Sequence, residues 1–390
     1  MSIRLESKKE CCGCTACENI CAHNAITMQC DTLGFQYPVV DHDKCVECSL
    51  CEKVCQFHSC YSRYDNFDNP KVYALRLKDS AQLMRSQSGG AFWGIAKGVI
   101  DNNGVVYGAA FDNDWNVIHQ RATNADELES LRMSKYVQSD LRGVFKQVKG
   151  DLKQGFTVLF SGTACQVAGL KSYVPLKLHQ NLFCLDIVCH GVPSPQIWKD
   201  YVNYLEDSNK AKIVKACFRD KRFGWHGAKE TFLFDDGREI VRQTSNYMYF
   251  SGISIRESCT NCKFTNMERV GDVTVGDFWG IPKDSPYEKD KKGLSLLLVN
   301  SEKGRMMFDS IKEKYIVEES NVRDCLQPQL QYPSEMSPLH EMFVHEYSKL
   351  GFLYVAKKYG DMGWRYKTRS AYMLLRASCG IFLRKIGLKK

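Results

Sequence analysis

Nineteen of the 390 residues are cysteines, and most of them fall at short, regular spacings. Cys11, Cys14, Cys17 and Cys21 follow the pattern C-x2-C-x2-C-x3-C, and Cys45, Cys48, Cys51 and Cys55 repeat it at an offset of 34 residues. A further pair, Cys259 and Cys262, stands alone in RESCTNCKFTN. Three thiolates on one tight loop can reach three irons of a cubane cluster, with a fourth reaching in from a short helix. Structural zinc is served by two C-x-x-C pairs and has no need of the doubled run. The start, MSIRLESKKECCGC, shows no apolar leader. Clustered cysteines in that setting predict metal or redox chemistry in the cytoplasm and argue against disulfides.

The doubled spacing is that of bacterial two-cluster ferredoxins, in which the fourth cysteine of each run serves the other cluster. It assigns Cys11, Cys14, Cys17 and Cys55 to one 4Fe-4S cluster, and Cys45, Cys48, Cys51 and Cys21 to a second. The proline that usually follows the fourth cysteine is replaced by Ala22 and Gln56. The lone downstream pair needs two more ligands. Cys165 lies in SGTACQ after one buried-type strand, and Cys189 lies in VCHG at the end of the next. Were those strands parallel neighbours, both thiols would leave the sheet at one carboxyl edge. A third cluster held by Cys165, Cys189, Cys259 and Cys262 is then expected. Zinc at the same thiols is one alternative. Cys165 as a nucleophile with His190 as its base is another. Cys12, Cys30 and Cys60 fall outside the pattern. Cys184, Cys217, Cys325 and Cys379 read as buried free thiols.

The elements that must position these residues change character along the chain. Residues 1–60 form the cysteine-dense head, and 61–70, YSRYDNFDNP, read as a linker. From 71 the texture is α/β. KVYALRL alternates like a strand, and SGGAFWGIAKGVIDNNG reads as a Gly-rich turn, a helix and a stop. GVVYGAAFD and WNVIHQRAT pair around NDWN, and TFLFDDGREIVRQ reads as a hairpin. FTVLF and NLFCLDIVC are buried-type strands, each followed by a small-residue turn and a helix. The expected fold is an α+β ferredoxin-like two-cluster head followed by an α/β body (71–340) with a mixed, mostly parallel sheet, then a basic amphipathic tail (341–390).

The fragments SQSGGAFWGIAKG, MSKYVQSDL, VLFSGTACQVAGL, LDIVCHGVPSP, FRDKRFGWHG, CTNCKF and RVGDVTVGDFWG occur in that order. As an ordered set they resemble the beta-subunit family of coenzyme F420-reducing hydrogenases and dehydrogenases, over roughly residues 5–340, with a ferredoxin module fused in front. The resemblance implies an iron–sulfur flavoprotein, with FAD, passing electrons between 4Fe-4S clusters and a flavin. It further implies a ferredoxin-type electron donor and a small organic substrate: coenzyme F420, another reducible compound, or a metabolite of bacterial surface-polysaccharide synthesis. A non-catalytic relay subunit of a larger redox complex is the other function of this class.

The residues themselves add local chemistry. Ser88, Gly89 and Gly90 open a helix whose N–H groups could hold a phosphate, or merely cap it. Ser161, Gly162 and Thr163 sit between a strand and a helix, a common ligand position in α/β sheets. Lys135 and Tyr136 could meet the anionic or aromatic part of a flavin. His190, His226 and Lys221 are the candidates for proton transfer or for holding an anionic substrate.

The net charge of +8 is local. Residues 346–390 carry eleven Lys or Arg against two acids, and the rest is nearly neutral. That disfavours nucleic acid as a partner of the body. RSAYMLLRASCGIFLRKIGL, at 369–388, has apolar residues at helical spacing beside arginines. It reads either as a contact to an anionic membrane face or as a helix packed on the body.

Overall fold

A computed structural model describes residues 3–58 and 66–364. Cys60, the first half of the expected linker, and the basic amphipathic segment with Cys379 lie outside the described residues. No helix among those described is long and apolar enough to cross a membrane.

The head is built on a hairpin of β1 (Ile26–Cys30) and β2 (Gln36–Val40), antiparallel with Ile26 opposite Val40. Short helices Ala16–Ile20 and Leu50–Lys53 follow the two cysteine loops. The sequence repeat is also a backbone repeat. Gly13 and Thr15 in the first loop, and Glu47 and Ser49 in the second, all have positive φ, between 51° and 69°. Three of these four residues carry a Cβ, for which that conformation is uncommon. Turns that alternate into the left-handed region point successive N–H groups inward, a geometry found around anions and iron–sulfur sites.

The strands of the body begin with β3 (Lys71–Leu77), β4 (Val105–Phe111), β5 (Val117–Ala122), β6 (Val158–Thr163) and β7 (Leu182–Ile187). Next come β8 (Ile213–Cys217), β9 (Glu230–Phe234) and β10 (Glu239–Arg242), which form a small antiparallel sheet. The last are β11 (Val273–Asp277), β12 (Ser295–Val299) and β13 (Tyr315–Ser320). The large sheet has the order β13-β3-β12-β11-β7-β6-β4-β5.

This sheet is mixed, as expected, but it is not mostly parallel. Only β11, β7, β6 and β4 pair with one another in parallel, and the four outer pairings are antiparallel. The reason lies in the connections. Parallel neighbours need a crossover, which the helices Val144–Lys153 and Ala164–Tyr173 supply. The tight NDWN turn returns β5 directly beside β4. Val158, Leu159 and Phe160 of β6 are fully buried, as a strand covered by helices on both faces requires. Helices Val144–Lys153 and Ala164–Tyr173 cover one face, and helices Ala91–Asp101 and Glu302–Asp309 the other.

The segment from 341 begins as part of the body. Phe343, Phe352, Val355 and Ala356 of helix His340–Lys358 are buried beside Trp198 and Tyr201, and Tyr347 donates to Asp200 at 2.6 Å.

The head is packed directly on helix Ala164–Tyr173. A Cβ placed on Gly169 of that helix would stand 2.8 Å from Cys14 Sγ and 2.9 Å from Cys14 Cβ. Gly169→Val is therefore expected to push the first cysteine loop off the body, at a cost of ~1–3 kcal/mol. The predicted result is a lower melting temperature and faster proteolysis between head and body. Unchanged values for both would show that the contact is loose.

Candidate functional site

The parallel pairing of β6 with β7 places Thr163 beside Ile187, so both strands end at one edge of the sheet. Cys165 follows at the second position of helix Ala164–Tyr173, and Cys189 lies two residues past β7. The C-x-x-C segment closes over that edge. Arg256 N–H donates to Val192 C=O at 3.0 Å, and Pro193 bridges to Ile255. Gly191, at φ 92°, lets Cys259 approach. A Cβ there would lie 3.4 Å from Cys259 Cβ, and Val192 N–H donates to Cys259 Sγ at 3.4 Å.

The four thiols share one electrostatic environment. Burial raises the Cys189 pKa, and Cys259, Cys165 and Cys262 raise it further. Cys259 is pushed up to about 12 and Cys262 to about 11, burial being the main cause in each and Cys165 contributing to both. A neutral thiol is favoured there until positive metal offsets the repulsion. Among the described residues, no three His, Cys, Asp or Glu side chains converge on a single-ion site. A cubane spreads its thiolates around a body of iron and sulfide, so its ligands stand farther apart than those of one ion.

In the head, burial raises Cys17, and Cys11, Cys55 and Cys51 raise it further. Gln56, standing where a proline is usual, latches the head to the body. Its Nε2 donates to Cys165 C=O at 2.8 Å and to Cys12 Sγ at 3.0 Å. Cys12, outside the spacing pattern, thus lies between the first head loop and Cys165. The second loop faces outward: Cys48 is exposed, as are its neighbours Val46 and Leu50.

Beside Cys189 lies a cavity of about 410 Å³, a size usual for cofactor and small-molecule sites. Ser88, Gly90, Lys135, Tyr136, Ser161, Gly162, Thr163, His190 and His226 all line it. Gly89 and Lys221 do not. A Cβ on Gly89 would meet Leu75 C=O at 2.0 Å, so that glycine serves strand packing. Lys221 Nζ donates to Leu83 C=O and Ser88 C=O, at 2.8 and 2.6 Å, and so fixes the turn before helix Ala91–Asp101. The N–H of Gly89 donates to Ser295 Oγ on β12 and that of Gly90 to Gln87 C=O within the turn. They are therefore not phosphate donors.

The cavity wall is aromatic. Tyr136 packs against Tyr249 and Phe250, with ring centroids 5.1 and 5.8 Å away, and Trp279 stands edge-on to His190 at 5.5 Å. Arg219 ties the wall together, donating to Asp277 at 2.8 Å and to Tyr136 Oη at 3.3 Å. Asp277 and Trp279 both face the cavity. Burial lowers Lys135 to about 7 and holds His190 below its usual range. Lys135 Nζ donates to the carbonyls of Ser130 and Arg132. His226 sits at the exposed end of the wall, paired with Glu288 at 3.0 Å. His190 has no hydrogen bond to Cys165, whose nearest partners are Cys12 and Thr163 Oγ1.

Residues 156–324 match the family model for the C terminus of the coenzyme F420 hydrogenase/dehydrogenase beta subunit. That span contains β6, β7, β11 and the C-x-x-C segment, and excludes the head. Among solved structures, the chain is similar to one in the F420-reducing NiFe hydrogenase complex from Methanosarcina barkeri. The identity is 14%, with 76% of this chain and 94% of that chain covered and a TM-score of 0.46. No curated protein matches the chain.

Proposed function

We propose, from the match of residues 156–324 to the family model for the C terminus of the coenzyme F420 hydrogenase/dehydrogenase beta subunit, that this chain is an iron–sulfur flavoprotein oxidoreductase. It takes electrons from ferredoxin or a similar donor and reduces a small organic substrate, either a deazaflavin of the F420 type or a bacterial metabolite. The observation that carries this reading is the gathering of Cys165, Cys189, Cys259 and Cys262 at one sheet edge, against an aromatic cavity that Cys189 itself lines.

The donor sets fit the groups assigned to them. Cys11, Cys14, Cys17 and Cys55 hold one 4Fe-4S cluster, Cys21, Cys45, Cys48 and Cys51 a second, and the four body cysteines a third. A flavin would occupy the cavity, FAD as the family resemblance implies. When bound, the clusters would supply single electrons and the flavin would convert them into a two-electron reduction.

The chain's own residues do the rest. Tyr136, Tyr249, Phe250 and Trp279 offer flat apolar faces to a planar ring. The Arg219–Asp277 pair keeps Tyr136 oriented. Lys135 Nζ, near neutrality in its pKa, can hold or release a proton at the wall, and His190 is kept in its neutral form by burial. Val46 and Leu50, exposed beside Cys48, give the electron donor an apolar place to dock.

The test is cofactor content after anaerobic purification. About twelve irons with matching sulfide, one flavin and little zinc per chain are expected, four irons for each cluster. About eight irons without flavin, or zinc in place of the last four irons, would sink the proposal for the body. Turnover with a chemical reductant alone separates an enzyme from a relay subunit.

A further inference from the structure

The most deeply buried cation between head and body is Arg256, whose side chain is fully enclosed. Its guanidinium donates to Cys11 C=O through Nε at 2.7 Å, to Gln138 Oε1 through Nη1 at 2.9 Å and to Gln36 C=O through Nη2 at 2.8 Å. It also lies over the Tyr37 ring, 4.2 Å from the centroid. Among the described residues, every hydrogen-bond acceptor of this charge is neutral. Burying a cation without an anion is costly, so the site calls for negative charge from somewhere.

The surroundings say where that charge comes from. Arg256 is joined to Cys11 on the head side, and its own C=O accepts from Cys259 N–H at 3.0 Å on the body side. Cys11 and Cys259, the two cysteines it is bonded to, belong to two different four-cysteine sets. A 4Fe-4S cluster on four thiolates carries net negative charge, and each added electron makes it more negative.

We propose that Arg256 is the shared counter-charge of the first head cluster and the body cluster, and that it raises the reduction potential of both. The inference rests on the cluster reading above. Net charge and hydrogen bonding are among the factors that set the potential of such clusters, and a fixed cation in a dry interface acts strongly on them. Gaining one electron at either cluster leaves Arg256 protonated, so the effect is electrostatic and no proton moves. The same side chain fixes the spacing of the two sites, because it bonds the Cys11 loop and is continuous with the Cys259 loop. Arg256 is therefore a positioning residue and takes no part in bond making.

The experiment is an EPR-monitored redox titration of the full chain, with iron counted in every sample, on wild type, Arg256→Gln and Arg256→Lys. The Cys259→Ser/Cys262→Ser variant identifies the body signal. In Arg256→Gln the reduction equilibrium of both clusters is expected to fall at least about tenfold, ~59 mV for a one-electron couple. Arg256→Lys, which keeps the charge, is expected to stay within about threefold of wild type. Loss of iron in Arg256→Gln alone, with Arg256→Lys loaded at wild-type potentials, also supports the proposal, since the charge is then needed to hold the clusters. Unchanged potentials in a loaded Arg256→Gln would overturn it. So would a shift at only one cluster, or equal loss of iron in both variants, which would mark the guanidinium fork as purely structural. Wild-type protein without body iron would refute the cluster assignment itself, separately from any of these outcomes.

Discussion

Cys259→Ser/Cys262→Ser is expected to lose about four irons per chain, the content of one cubane, while the head keeps its own. The two serines remove two of the four proposed ligands and leave Cys165 and Cys189 as the remaining pair at the strand ends. A pair of thiols cannot hold a cubane in water, so the cluster should be lost as a whole. The fold should survive. The substitution exchanges sulfur for oxygen in a short segment that is held mainly by other bonds: Arg256 to the head, Pro193 to Ile255, and Arg269 to Asp186. Metal analysis and visible absorbance give the count, and circular dichroism checks the fold. Unchanged iron in a folded double variant removes the third cluster. A loss of one zinc instead of four irons converts the site to a structural zinc centre.

Much of this site was legible in the chain because its parts are local. Strand–turn–helix patterns located the β6 and β7 units, and two cysteines at the ends of adjacent parallel strands must emerge together. The repeat in the head was equally plain, and its left-handed positions recur at the same offset of 34 residues. Three things were not legible. The strand Val273–Asp277 lies within RVGDVTVGDFWG, whose glycines and aspartates mask a buried strand. It sits between β7 and β12, so it decides how much of the sheet is parallel. Arg256 and Gln56 gave no signal, because their roles exist only where head meets body, across separations of more than a hundred residues. Lys221 misled for the opposite reason. Its neighbours Arg219, Arg222 and His226 look like one basic site. The chain turns Lys221 inward to carbonyls, pairs Arg222 with Asp220 and Glu239, and gives only Arg219 and His226 to the cavity.

Asp186→Ala is expected to destabilise the body by ~3–5 kcal/mol, the cost of breaking a buried ion pair from one side. Asp186 ends the buried part of β7 and is fully enclosed, as is Arg269, which lies seven residues past Cys262. The carboxylate accepts from Arg269 Nη2 at 2.6 Å and, through its other oxygen, from Gly271 N–H at 2.7 Å. Arg269 in turn donates to Phe264 C=O at 2.6 Å and to Asn266 C=O at 3.2 Å, and so shapes the loop that leaves the C-x-x-C segment. One ion pair therefore fixes the strand that delivers Cys189 relative to the loop that delivers Cys262. Removing the carboxylate strands a guanidinium in the core and leaves the Gly271 N–H without its acceptor. The body iron should then be lost on mild warming or in low denaturant, before the head iron. Asp186→Leu combined with Arg269→Met should recover part of the stability, since neither charge is then left alone. Equilibrium denaturation with iron release followed in parallel would measure this. A loss below about 1 kcal/mol for Asp186→Ala, the range of an exposed pair, would mean that water reaches this pair and that the loop is held by something else.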